Sequence, residues 1–137
     1  MEHNPDASSL ANPFSDVKEG QYYTDGVKWA FANKIVSGYG GTTKFGPNDP
    51  IIRQDLAVIL NNYAKYKGID VNSSFDISTF ADYNKVQGKY AEPALKWAAE
   101  NAIMSGQNIG GKRYISPYNN TTRAEAAAMI INYRNKF

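Results

Sequence analysis

Thr122-Arg123-Ala124-Glu125 opens the last apolar stretch of this chain, and its reading decides the fold. Thr122 suits a helix N-cap, because its hydroxyl can accept from a free backbone N–H of the first turn. Glu125, three residues on, can reach back to the N–H of Thr122, which completes a capping-box pattern before an apolar run. Arg123 has no such local reason. At the first helical position a cation opposes the helix dipole by a few tenths of a kcal/mol up to about 1 kcal/mol. A weaker copy, Ile52-Arg53-Gln54-Asp55, stands about 70 residues earlier and repeats the misplaced arginine. An arginine set twice against local electrostatics either pairs with a nearby carboxylate or waits for an anionic ligand.

Working outward, the same order of residues recurs around both copies. Phe14 pairs with Phe80, Asp16 with Asp82, Tyr22 with Tyr90 and Trp29 with Trp97. Ser37-Gly38 pairs with Ser105-Gly106, Phe45 with Tyr114, Pro47 with Pro117, Arg53 with Arg123, Asp55 with Glu125 and Tyr63 with Tyr133. The offset drifts from 66 to 70 residues, so small loop insertions separate two versions of one unit. The expected plan is a leader at 1–13 holding an inert His3, a first repeat at 14–67, a connector at 68–79 and a second repeat at 80–137, together one compact domain. Helical spacing predicts helices over 22–35, 53–66, 89–104 and 123–135. Pro93 falls in a first turn, where a missing N–H is tolerated. Ser37-Gly38 and Ser105-Gly106 are read as helix stops, and Lys44-Phe45-Gly46-Pro47 and Lys112 to Pro117 as short extended pieces and turns. Apolar stripes are expected at Tyr23, Val27, Ala30 and Phe31, then at Leu56, Ile59, Leu60 and Tyr63. The later helices offer Tyr90, Ala94, Trp97 and Ala98, then Ala127, Ile130, Ile131 and Tyr133. The fold class expected from this pattern is all-α: two helix-loop-helix repeats with short extended loop segments in a pseudo-symmetric helical bundle.

Bulk numbers exclude several functions. The 137 residues suffice for a core, and a charged fraction of 20% is globular rather than disordered. Net charge is only +2 and the Lys and Arg residues are scattered, which argues against nucleic acid. No apolar run approaches 18 residues, so no membrane span is expected. Cysteine is absent, which removes thiol chemistry and disulfides. No signal peptide is visible, so a secreted parent would contribute this as a mature segment or an excised fragment. Asp70, Asn72, Ser74 and Asp76 imitate a calcium loop, but Phe75 and Ala81 stand where glycine and the bidentate glutamate are needed, so no metal or other cofactor is expected. With one histidine and glutamates at ordinary helical positions, no catalytic set is expected.

The chain resembles the S-layer homology family. Phe14-Ser15-Asp16-Val17, Val36-Ser37-Gly38-Tyr39, Phe45-Gly46-Pro47 and Arg53 carry the likeness in the first unit. Phe80-Ala81-Asp82, Met104-Ser105-Gly106, Tyr114-Ile115-Ser116-Pro117 and Thr122-Arg123-Ala124-Glu125 carry it in the second. The likeness covers about residues 14–137. It implies an extracellular bacterial module that holds its parent protein on the cell wall by binding a secondary wall polysaccharide, often pyruvylated and hence anionic. It also implies three repeats with ligand grooves between them, to which the arginine of the Thr-Arg-Ala-Glu motif contributes. Carried over, that arginine is Arg123 first and Arg53 second. Only two repeats are present, so a further repeat or a homodimer would complete the set, unless two suffice.

The candidate ligand contacts are Arg123 and Arg53, with Thr122 and Glu125 beside them. Tyr39 sits on a glycine-rich loop suited to sugar stacking, and Gln107 and Asn108 offer amides in the equivalent loop. Trp29 and Trp97 are sugar platforms or helix-packing core. Asp16 and Asp82 bind sugar hydroxyls, cap the following turn or pair with an arginine. Two alternatives remain open: the same fold on a neutral storage or plant glucan, and a protein-assembly module with no sugar site.

Overall fold

The computed structural model describes residues 6–137. Residues 1–5, including His3, lie outside the described residues. The chain forms two compact units that divide between Asp49 and Pro50.

In the first unit, helix α1 spans Thr24–Ala32. Its inner face sets Val27 against Phe14 and Val17, with Tyr23 and Phe45 packed around them. Phe14 lies 5.1 Å from both the Phe31 and the Phe45 ring centroids, edge-on to the former. Such aromatic pairs each add roughly 0.5–1.5 kcal/mol beyond area burial. Lys28 is buried along its stem and ends 3.6 Å from the Glu19 carboxylate.

The second unit holds α2 (Arg53–Tyr66), single 3-10 turns at Ile77–Thr79 and Tyr83–Lys85, α3 (Glu92–Glu100), strands β1 (Gln107–Ile109) and β2 (Lys112–Tyr114), and α4 (Arg123–Lys136). Helix α2 packs along α3 and touches α4. Leu56, Leu60, Ile77, Phe80, Leu95, Trp97, Ile103, Met104, Ile115 and Met129 fill the core between them. Each such side chain contributes up to about 1.5–3 kcal/mol where its burial is complete. The connector joins this core: Ile69, Val71 and Phe75 pack against it.

Four expectations change. The chain is helix-rich but not all-α, because β1 and β2 form an antiparallel hairpin pairing Gln107 with Tyr114 and Ile109 with Lys112. Gly110 and Gly111, at φ 58° and 79°, supply the two left-handed residues that a tight two-residue hairpin turn demands. Helices α1 and α3 are shorter than their periodicity suggests. Each stops at a non-glycine left-handed residue, Lys34 (φ 60°) and Ala102 (φ 55°), several residues before the glycines expected to end it. There the N–H groups of Ile35 and Ile103 fold back onto the carbonyls of Ala30 and Ala98, at 2.8 and 2.9 Å. The Asn33 and Asn101 side chains bond the Trp29 and Trp97 carbonyls at 2.9 Å, offsetting part of the roughly 1–2 kcal/mol cost of that backbone geometry. Tyr90 lies before α3 and is 69% exposed, so it does not belong to the core stripe. Finally, α4 faces the core through Ala126, Met129 and Tyr133, while Ile130 and Ile131 are exposed. A helix apolar on nearly every side offers no stripe from which its inner face can be read.

Candidate functional site

An aspartate clamps the inner loop of each repeat. Asp16 accepts from the N–H groups of Phe45 and Gly46 at 2.8 and 2.9 Å. Asp82, buried, accepts from Ile115 and Ser116, both at 2.9 Å. The Phe45 N–H, with a smaller contribution from Gly46, holds the Asp16 carboxyl below its ordinary value. Both aspartates are thus loop-shaping groups whose carboxylate oxygens are engaged by backbone. The clamp also corrects the repeat register. Phe45 corresponds to Ile115, not Tyr114, and left-handed Gly46 (φ 72°) corresponds to left-handed Ser116 (φ 50°). Gly38 and Gly106 are the matching close approaches. A Cβ on Gly106 would lie 2.7 Å from Phe80 Cε1 and 2.8 Å from the Tyr114 carbonyl oxygen. One on Gly38 would lie 2.7 Å from Phe14 Cε1 and against the Lys44 carbonyl.

The start of α2 is built into the loop before α4. Arg53 N–H donates to Asn119 O at 2.9 Å, Gln54 N–H to Pro117 O at 3.0 Å, and Thr121 N–H to Ile51 O at 2.8 Å. The Arg53 side chain, 6% exposed, donates from Nε to Ile115 O at 3.0 Å and sets Nη1 3.7 Å from Glu125 Oε1. Glu125 also accepts the Thr122 N–H at 2.9 Å while the Thr122 hydroxyl accepts from Glu125 N–H at 3.1 Å, so the capping box is complete. Gln107 joins through Nε2, 3.4 Å from Glu125 Oε1, and accepts from the Ser116 hydroxyl at 3.4 Å. Arg53, Thr122, Glu125 and Gln107 therefore come together as one network. Within it, Arg53 is enclosed by the protein's own carboxylate and carbonyl, which accounts for its position against the helix dipole.

Arg123 is different. It is exposed at the start of α4, and no hydrogen bond or ion pair holds its side chain among the described residues. Asn108 is exposed on β1 opposite Arg113. Tyr39 is 52% exposed, and its hydroxyl donates to Asp49 Oδ2 at 2.7 Å. It lines an open hollow of about 390 Å³ in the first unit with Asp16, Lys44, Gly46, Pro47, Asn48 and Asp49. Trp29 is half-buried. Trp97 is fully buried against Tyr133 and Phe137, so its ring has no face to offer a sugar and serves the core.

One constellation escapes the sequence reading. The Tyr90 hydroxyl donates to Asp55 Oδ1 at 2.5 Å and accepts from Gln54 Nε2 at 2.9 Å. Beside it, Lys89 Nζ donates to the Tyr118 hydroxyl at 2.8 Å, and that hydroxyl donates to Lys85 O at 2.7 Å. Helical spacing assigns Tyr90 to the core. The signal that places it outside is Pro93, which marks a helix start just beyond it.

Two aspartate-clamped loops, each followed by an Arg-initiated helix, define a module built from two repeats. The S-layer homology domain matches residues 13–57 and 79–127. The chain belongs to the S-layer homology domain family, whose domains are non-catalytic anchoring modules of cell-surface proteins. It is 32% identical over 126 residues to an amylopullulanase of Thermoanaerobacterium thermosulfurigenes, covering 89% of this chain and 6% of that protein. It is 30% identical over 117 residues to the surface-layer 125 kDa protein of Lysinibacillus sphaericus, covering 85% of this chain and 9% of that protein. An endoglucanase of Bacillus sp. (strain KSM-635) is 28% identical over 126 residues, covering 92% and 12% respectively. The chain spans no more than 12% of any of these three relatives. Among the described residues no helix is long and apolar enough to cross a membrane.

Proposed function

We propose that this module holds its parent protein on the outer face of a bacterial cell wall by binding a peptidoglycan-associated secondary polysaccharide without catalysis. The observation that carries the reading is the contrast between two equivalent arginines. Arg53 is enclosed and paired with Glu125, whereas Arg123 stands exposed with no partner among the described residues. A guanidinium is always charged and presents a rigid fork of donors, which suits a carboxylate or phosphate on a glycan. Glu125 and Gln107 border the same helix start and add hydrogen-bonding groups for sugar hydroxyls. Tyr39 and Lys44, at the hollow of the first unit, are a second contact in this reading.

The test is co-sedimentation of the chain with wall sacculi before and after the secondary polymer is stripped. Binding that disappears on stripping supports the reading. Equal binding to stripped sacculi, or none to native sacculi, rejects it. Binding indifferent to ionic strength would point instead to a neutral polysaccharide.

A further inference from the structure

We infer that Tyr90, with Lys89 and Tyr118 beside it, is a sugar-stacking platform of the second unit that takes one pyranose ring of the polysaccharide. The inference rests on the wall-glycan reading above and names a subsite for it. Tyr90 and Tyr118 are 69% and 47% exposed, so neither ring serves mainly to fill the core. Exposed tyrosines ordinarily keep their rotamer freedom, and ordering them on binding costs affinity. In this unit both hydroxyls are already tied. Asp55 and the buried Gln54 hold Tyr90, while the Lys85 carbonyl and the Lys89 ammonium hold Tyr118. The rings are presented in fixed positions before any ligand arrives.

The chemistry suits a sugar ring. A tyrosine ring offers a flat apolar face, which matches the C–H face of a pyranose. Lys89 Nζ, 5.5 Å from the Tyr118 ring centroid, makes no ion pair among the described residues and retains N–H donors for ring oxygens. The second oxygen of Asp55 can accept from a sugar hydroxyl. Apolar face, donor and acceptor therefore converge on one exposed surface. The first unit lacks the set, since Asn48 stands where Tyr118 does and Tyr22, the counterpart of Tyr90, is 98% exposed.

The experiment titrates solubilised secondary wall polymer into the full chain by calorimetry, with far-ultraviolet circular dichroism confirming the helices of each variant. Tyr90→Ala is expected to weaken binding about ten-fold or more, Lys89→Gln several-fold, and Tyr90→Phe less than Tyr90→Ala because the ring remains. Should Tyr90→Ala fail to fold, Tyr118→Ala and Lys89→Gln carry the same test. Folded variants that bind as wild type does, when the wild type binds polymer, overturn the platform and leave the anchoring reading standing. A wild-type chain that binds no polymer overturns both.

Discussion

At the residue scale, positions that look interchangeable in the sequence are separated by what surrounds them. Gly106 and Gly110 are both left-handed, but only Gly106 has neighbours that a Cβ would strike. Gly106→Ala is expected to cost about 2–4 kcal/mol, from backbone strain plus overpacking against Phe80. Gly110→Ala should cost only about 1–2 kcal/mol, from strain alone. Urea midpoints of the two variants check the difference, and equal midpoints would contradict it. Tyr90 gives a pH signature. Burial of its hydroxyl end, followed by its hydrogen bond to Asp55 and that carboxylate's charge, pushes the phenol up to about 12. Its folded value thus lies above the unfolded value of about 10. The contribution to stability is present in full below pH 10 and is lost as the pH climbs from about 10 to about 12. In a phenolate absorbance titration, the difference between wild type and Tyr90→Phe should be a late-ionising tyrosine. Asp55→Asn should lower it from about 12 while leaving the part due to burial, and an unchanged titration in that variant would refute the role assigned to the carboxylate.

At the scale of elements, starts were more legible than ends. The capping box at Thr122 is readable because its two reciprocal hydrogen bonds are encoded by residue type at fixed spacing. Thr122→Ala is expected to lower stability by about 1 kcal/mol, measured as a shift in the denaturation midpoint. The ends of α1 and α3 were not legible, because Lys34 and Ala102 take the place usually filled by glycine and carry no compositional mark. The hairpin was hidden for a related reason: Gln107-Asn108-Ile109 and Lys112-Arg113-Tyr114 are too short and polar to show alternation. The inner face of α4 is not legible because alanine and isoleucine surround the helix. Matching aromatic to aromatic pairs Phe45 with Tyr114, one residue out of register. The backbone is matched instead by the Asp16 and Asp82 clamps, which put Ile115 in the place of Phe45.

At the scale of the whole molecule, sequence repeats and compact units are out of step. Helix α2 belongs to the first repeat in sequence, yet it packs on α3 and inserts Arg53 into the loop of the second. The repeat order was legible because motif spacing survives substitution. The spatial grouping was not, since it depends on which loop the start of each helix enters. The same arrangement separates the two motif arginines into one that the fold consumes and one that it leaves exposed. The most direct test is a titration of solubilised secondary wall polymer into wild type and Arg123→Ala at low and high salt. Arg123→Ala is expected to lose about ten- to a hundred-fold in affinity at low salt, the range of a charge-assisted hydrogen bond, and most of its salt dependence. Equal affinity and equal salt dependence in the two proteins would contradict a ligand role for the exposed arginine.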